Sequence, residues 1–163
     1  MSDFIKQQGQ AFLAHLLRRL SDELIQGAKE WYPSVGVTAP PRTISTMLAL
    51  DEHGSLGVTQ LAGLLRQSHS LVIVWIRELC NLSLVDTWAD PDDGRRTLVV
   101  LTSRGLKEVQ NLRQALVTMQ QASSEVLGPN DQALWQALWQ VESSLRDKPF
   151  LSRLQELGRK ESA

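Results

Sequence analysis

The sequence predicts a mainly α-helical fold with one small β-hairpin set after its central helices. Three observations carry this. Apolar residues recur at spacings of three, four and seven along most of the 163-residue chain. Two runs rich in β-formers, Leu84 to Ala89 and Arg95 to Leu101, flank the turn Asp90-Pro-Asp-Asp-Gly94. Long helical patterns lie on both sides of that hairpin.

The spacing predicts one amphipathic helix over residues 4 to 30, with Ile5, Phe12, Leu13, Leu16, Leu17, Leu20, Leu24 and Ile25 on its apolar face. Gly36 to Pro41 is a loop, and Pro40-Pro41 opens a second helix, because proline fits a first turn. That helix carries Ile44, Met47, Leu48 and Leu50 inward and stops near His53-Gly54. Leu56-Gly57 reads as a very short extended link. Val58 to Leu65 forms a third helix, and Arg66-Gln67 a tight turn. Ser68 then caps a fourth helix that runs to about Asn81.

Beyond the hairpin, Thr102 caps a long helix containing Leu106, Val109, Leu112, Leu116 and Met119. Gly128-Pro129-Asn130-Asp131 breaks it. A further helix places Leu134, Leu138, Val141 and Leu145 on one stripe, with Trp135 and Trp139 beside it. Pro149 restarts a short C-terminal helix carrying Phe150, Leu151, Leu154 and Leu157. Three central helices followed by a two-stranded wing form a winged helix-turn-helix. In that arrangement the helix after the tight turn can enter a DNA major groove while the hairpin tip reaches flanking backbone or minor groove.

Composition limits the alternatives. The longest apolar run, Leu71 to Ile76, falls far short of the ~18 residues that span a bilayer. The N-terminus, Met-Ser-Asp-Phe-Ile-Lys-Gln-Gln, lacks a basic start and apolar core, so a cytoplasmic protein is expected. The one cysteine, Cys80, forms no internal disulfide and is expected to be a buried, inert thiol. His15, His53 and His69 have no Glu or Cys at zinc-ligand spacing, and no nucleophile elbow or phosphate loop occurs. The expectation is no enzyme, no metal and no cofactor.

From Leu61 to Thr102 the sequence resembles the MarR family of regulators. The family's Leu-Ala opening of the third helix stands as Leu61-Ala62, and the passage into the wing as Leu79 and Leu84-Val85. Most specific is Asp90-Pro-Asp-Asp-Gly-Arg-Arg-Thr-Leu-Val-Val-Leu-Thr-Ser-Arg-Gly105. It is similar to the family's wing signature, in which an aspartate and an arginine two positions on precede a strand ending Leu-Thr-x-x-Gly. Those residues are Asp93 and Arg95 here. The resemblance implies a single domain over residues 1–163. In it, residues 1–35 and 106–163 supply dimerisation helices and residues 42–105 the DNA-binding module. It implies a homodimeric transcription regulator that binds a palindromic double-stranded operator and represses until a small aromatic ligand relieves it.

Within that frame Arg95 at the hairpin tip inserts into a narrow minor groove or binds phosphate, with Arg96 as a neighbouring phosphate contact. The alternative is an Asp93–Arg95 pair that only closes the wing. The fourth helix, Ser68-His-Ser-Leu-Val-Ile-Val-Trp-Ile-Arg-Glu-Leu-Cys80, is unusually apolar for a recognition helix. With Val72, Trp75, Ile76 and Leu79 turned inward, Leu71, Ile73 and Val74 point wholly or partly outward. Ser68, His69, Ser70 and Arg77 are then its polar DNA-facing residues. Such a helix either still reads DNA, serves as an apolar protein-interaction surface in a chain with degenerate DNA binding, or sits in the core. Arg66 and Ser83 stand where the family usually has glycine, so both turns lose a residue that tolerates positive φ. Residues 42–104 hold six arginines against seven acids, one net negative charge, which makes for weak or well-focused DNA binding.

The apolar stripes of the N-terminal helix and of the helices after the wing predict a two-fold dimer rather than one monomeric core. Family members bind aromatic or phenolic ligands between such helices and the winged domain. Candidates here are His15, Arg19, Trp31, Tyr32 and Met47, where an arginine and aromatic walls suit an aromatic carboxylate. Ordinary packing of the same residues is the other reading.

Overall fold

The computed structural model describes residues 3–94 and 96–161. The chain divides into two compact units, residues 1–116 and 117–163.

In the first unit the N-terminal pattern is interrupted. A short helix, α1, covers Phe4–Gln7; a 3-10 turn covers Gly9–Phe12; and α2 covers Leu13–Trp31. Asp3 caps α1 through its side chain, and the break falls at Gly9, whose φ of 62° cannot continue a right-handed helix. The helix expected over residues 4 to 30 is therefore two helices. Next come α3 (Ile44–His53), β1 (Leu56–Gly57), α4 (Val58–Leu65) and α5 (His69–Asn81). The strands β2 (Val85–Ala89) and β3 (Thr97–Leu101) form the wing, and α6 (Ser103–Leu127) follows.

The link at Leu56-Gly57 is a strand rather than a connector. Leu56 pairs with Val99 and Gly57 with Leu98, so the antiparallel sheet has the order β1-β3-β2. The wing register runs from Val85 opposite Leu101 to Ala89 opposite Thr97. Alternation along β3 turns Val99 and Leu101 into the core. Met47, Leu61, Val72, Leu79, Leu84, Val109 and Leu112 are buried as well, and contacts of β3 with α3 and α4 and of β2 with α5 fix α5 and the wing on one scaffold.

The second unit comprises the end of α6, then α7 (Asp131–Asp147) and α8 (Phe150–Glu161). Gly128, at φ 74°, ends α6 as a left-handed residue. Trp135 and Trp139 meet edge to face, with ring centroids 5.9 Å apart. The Arg153 guanidinium donates to the Ser144 carbonyl at 2.7 Å and ties α8 to α7. Leu134, Leu138 and Leu145 on α7 and Phe150, Leu151, Leu154 and Leu157 on α8 remain exposed. Among the described residues no helix is long and apolar enough to cross a membrane, and no group of three His, Cys, Asp or Glu can hold a metal.

Candidate nucleic-acid interface

The helix-turn-helix is built by backbone geometry at two residues. Arg66 ends α4 in the left-handed conformation, at φ 51° and ψ 44°, and the Gln67 N–H returns to the Ala62 carbonyl at 3.0 Å. The turn keeps the shape a glycine would give it. Ser68 is extended, and its Oγ accepts from the Leu71 N–H at 3.3 Å, which starts α5. Val72, Trp75, Ile76 and Leu79 form the buried stripe of α5. His69, Ser70, Leu71, Ile73, Val74 and Arg77 are exposed. Among the described residues, no side chain pairs with Arg77.

Hydrogen bonds among the described residues close the base of the wing tip. The Asp90 N–H donates to the Arg96 carbonyl at 2.9 Å, the Arg96 N–H to the Asp93 carbonyl at 2.8 Å, and the Asp92 N–H to Asp90 Oδ1 at 2.9 Å. Arg96 Nε lies 3.2 Å from Asp93 Oδ2, which holds this exposed guanidinium beside the tip. Arg95 lies outside the described residues. An open groove of 790 Å³ separates α5 from the wing; Gln60, His69, Ile73, Arg77, Arg96 and Thr97 are among its walls. The structure thus brings Arg77 and Arg96, both expected on the DNA-facing side, to the walls of one groove, a juxtaposition that requires the sheet register.

Two supports of this face, Arg42 and Glu108, carry no signal in the sequence; a third, Thr102, is the expected helix cap. The Arg42 guanidinium grips Glu78 of α5 with two hydrogen bonds, of 2.6 and 3.2 Å. Glu108 of α6, only 6% exposed, accepts from the Thr38 N–H at 2.7 Å, the Thr38 hydroxyl at 2.7 Å and the Ala39 N–H at 2.6 Å. Thr102 donates its hydroxyl proton to the Ser83 carbonyl at 2.8 Å and accepts from the Gly105 N–H at 2.9 Å. The Leu-Thr-x-x-Gly stretch is therefore a joint between α6 and the wing. Ser83 itself adopts φ 57°.

The candidate ligand residues are distributed as follows. His15 is exposed and stacks on Phe12, with centroids 4.6 Å apart. Arg19 is exposed and bonded to Asp3 at 2.7 Å, and that guanidinium holds the Asp3 carboxyl below its usual range. Trp31 lies 6.2 Å from Tyr32, and Met47 is fully buried in the core. Tyr32 borders a cavity of 550 Å³ with Ile25, Lys29, Pro41, Arg42 and Glu78 among its walls. Burial raises the Tyr32 hydroxyl above its ordinary pKa. Cys80 is half-buried on the groove, and burial, then the nearby Asp86 charge, pushes its thiol up, away from thiolate reactivity.

No family model and no curated protein sequence matches this chain. Solved structures do. MepR from S. aureus, solved as a DNA complex, is 25% identical with a TM-score of 0.69, over 81% of this chain and 97% of that one. MarR from E. coli, solved with operator DNA, is 16% identical with a TM-score of 0.68, over 85% and 97%. This chain has the MarR winged-helix fold. BpsR from Bordetella bronchiseptica, described for regulation of its DNA binding by 6-hydroxynicotinic acid, is 22% identical with a TM-score of 0.68, over 88% and 97%. All three of these neighbours of the MarR-like chain are described in connection with DNA binding.

Proposed function

We propose that this MarR-like chain is a cytoplasmic, dimeric, DNA-binding transcription regulator that represses through a palindromic operator. The observation that carries the reading is the shared groove of Arg77 on α5 and Arg96 on the wing. A helix with an outward arginine beside a hairpin with another can engage a major groove and its flanking phosphates together. Dimerism is supported by exposed leucines on α2 (Leu13, Leu16, Leu17, Leu20 and Leu24) and by the apolar faces of α7 and α8. Left in water, so much apolar surface favours association.

Relief by a small aromatic ligand is supported by the cavity at Tyr32. It offers an aromatic wall with Lys29 and Arg42 for a carboxylate. Because Arg42 also binds Glu78 of α5, an anion that competes for Arg42 would loosen the recognition helix. BpsR, whose DNA binding is regulated by 6-hydroxynicotinic acid, is a precedent on the same fold.

The test is selection of duplex DNA from a random pool by the purified protein at low salt. Recovery of a palindrome with half-sites about one helical turn apart is expected. Failure to enrich any sequence would overturn the reading and leave the winged domain as a protein-interaction module.

A further inference from the structure

The outward face of α5 is mixed. With about 100° between successive residues, Ser70, Val74 and Arg77 fall on one line opposite the buried stripe of Val72, Trp75, Ile76 and Leu79. Val74, at 50% exposed, sits in the middle of that line. Leu71 and Ile73, each 37% exposed, lie on opposite flanks, roughly 160° apart around the helix axis. Ile73 faces the wing groove, where it is a wall beside Arg77 and Arg96. Val74 lies between Leu71 and Ile73, an i,i+3 neighbour of Leu71, so the aliphatic arc is crossed by the polar line of Ser70 and Arg77. A branched aliphatic side chain set along the helix between a hydroxyl and a guanidinium suits the edge of a base pair.

In the major groove only thymine presents an apolar group, its C5 methyl, and guanine presents the acceptor pair that a guanidinium grips with two hydrogen bonds. We propose that Val74 reads a thymine methyl and that Arg77 reads a guanine beside it. This inference rests on the DNA-binding reading above. Three residues of helix advance about 4.5 Å, and stacked bases are about 3.4 Å apart, so thymine and guanine lie within two base pairs of each other in every half-site. Ser70, one turn before Val74, points to the same groove floor or its bordering phosphate. The apolar character of α5 becomes a base preference, and the missing polar readers are replaced by methyl recognition.

The experiment uses the full-length protein and the duplex recovered from a random pool. Thymines of each half-site are replaced one at a time by uracil, which removes the methyl and leaves every hydrogen-bonding group in place. At one position per half-site, replacement is expected to weaken binding roughly fourfold per methyl lost. Val74→Ala, at an exposed position that leaves the core intact, is expected to bind thymine and uracil duplexes alike. Tight binding that ignores uracil at every position would overturn the inference while leaving DNA recognition standing. Val74→Ala protein that still prefers thymine would also overturn it. No recovered duplex at all would overturn the DNA-binding reading itself, and this inference with it.

Discussion

A methyl group placed on the Cα of Gly105 would lie 2.0 Å from the carbonyl oxygen of Leu84. Real Cβ atoms do not approach backbone so closely, and here the first turn of α6 rests directly on the residue that leads into β2. The same joint is bonded by Thr102, whose N–H donates to that Leu84 carbonyl at 3.1 Å. Gly105→Ala is expected to destabilise the protein by more than about 3 kcal/mol, because the obstacle is backbone and cannot rotate away. Thr102→Ala, which loses the cap but keeps the fit, is expected to cost about 1 kcal/mol. Chemical denaturation at fixed protein concentration checks both; equal costs would contradict the account.

Glu108 anchors the loop before α3. One carboxylate satisfies two backbone N–H groups and a hydroxyl, and it is nearly buried. Glu108→Gln keeps a carbonyl oxygen for the two backbone N–H groups but removes the charge and sets an amide NH2 against the Thr38 hydroxyl, which must turn round to accept. The expected loss is about 1.5–3 kcal/mol, since hydrogen bonds to a charged acceptor are the stronger kind. Amide exchange of Thr38 and Ala39 should rise sharply in the same variant. Unchanged protection there would contradict the assigned role.

Ser83 stands in the left-handed region at φ 57°. A side chain in that region costs roughly 1–2 kcal/mol, part of which glycine returns as lost chain freedom. Ser83→Gly is expected to raise stability by about 0.5–1 kcal/mol, because the Ser83 carbonyl that Thr102 binds is retained. A lower melting temperature for Ser83→Gly would show that the serine side chain earns its place.

Much of this organisation is legible in the sequence, and the reasons are physical. The buried stripe of α5 follows from its apolar period, and the Ser68 cap and the break at Gly128-Pro129 follow from local backbone chemistry. Local signals fail where partners are distant. Leu56-Gly57 is too short to show a period, and only Val99 and Leu98 make it a strand. Glu108 reads as one more charged residue on a solvated helix face until residues 36–41 fold over it. Gly9 reads as a tolerated glycine within a helical pattern, although it divides the N-terminal helix. The cavity at Tyr32 draws on Lys29, Arg42 and Glu78, residues from three elements with no shared motif.

The Arg42–Glu78 pair gives the effector reading a direct test. The pair is half exposed, so its own contribution to stability is below about 1 kcal/mol. In a thermal-shift series with aromatic carboxylates, Arg42→Ala is expected to abolish the shift. Glu78→Gln, which frees the guanidinium, is expected to tighten ligand binding by up to about fivefold. A shift that survives Arg42→Ala would place the ligand elsewhere.

The central claim is that α5 and the wing act on one duplex through Arg77 and Arg96, and a salt series on the selected duplex tests it most directly. Wild-type affinity should fall steeply as salt rises. Arg96→Ala should reduce the slope of log affinity against log salt by about two per dimer, one phosphate from each protomer. Arg77→Ala should cost about 1–3 kcal/mol and relax the sequence preference. Wild-type slopes and affinities in both variants would contradict the claim.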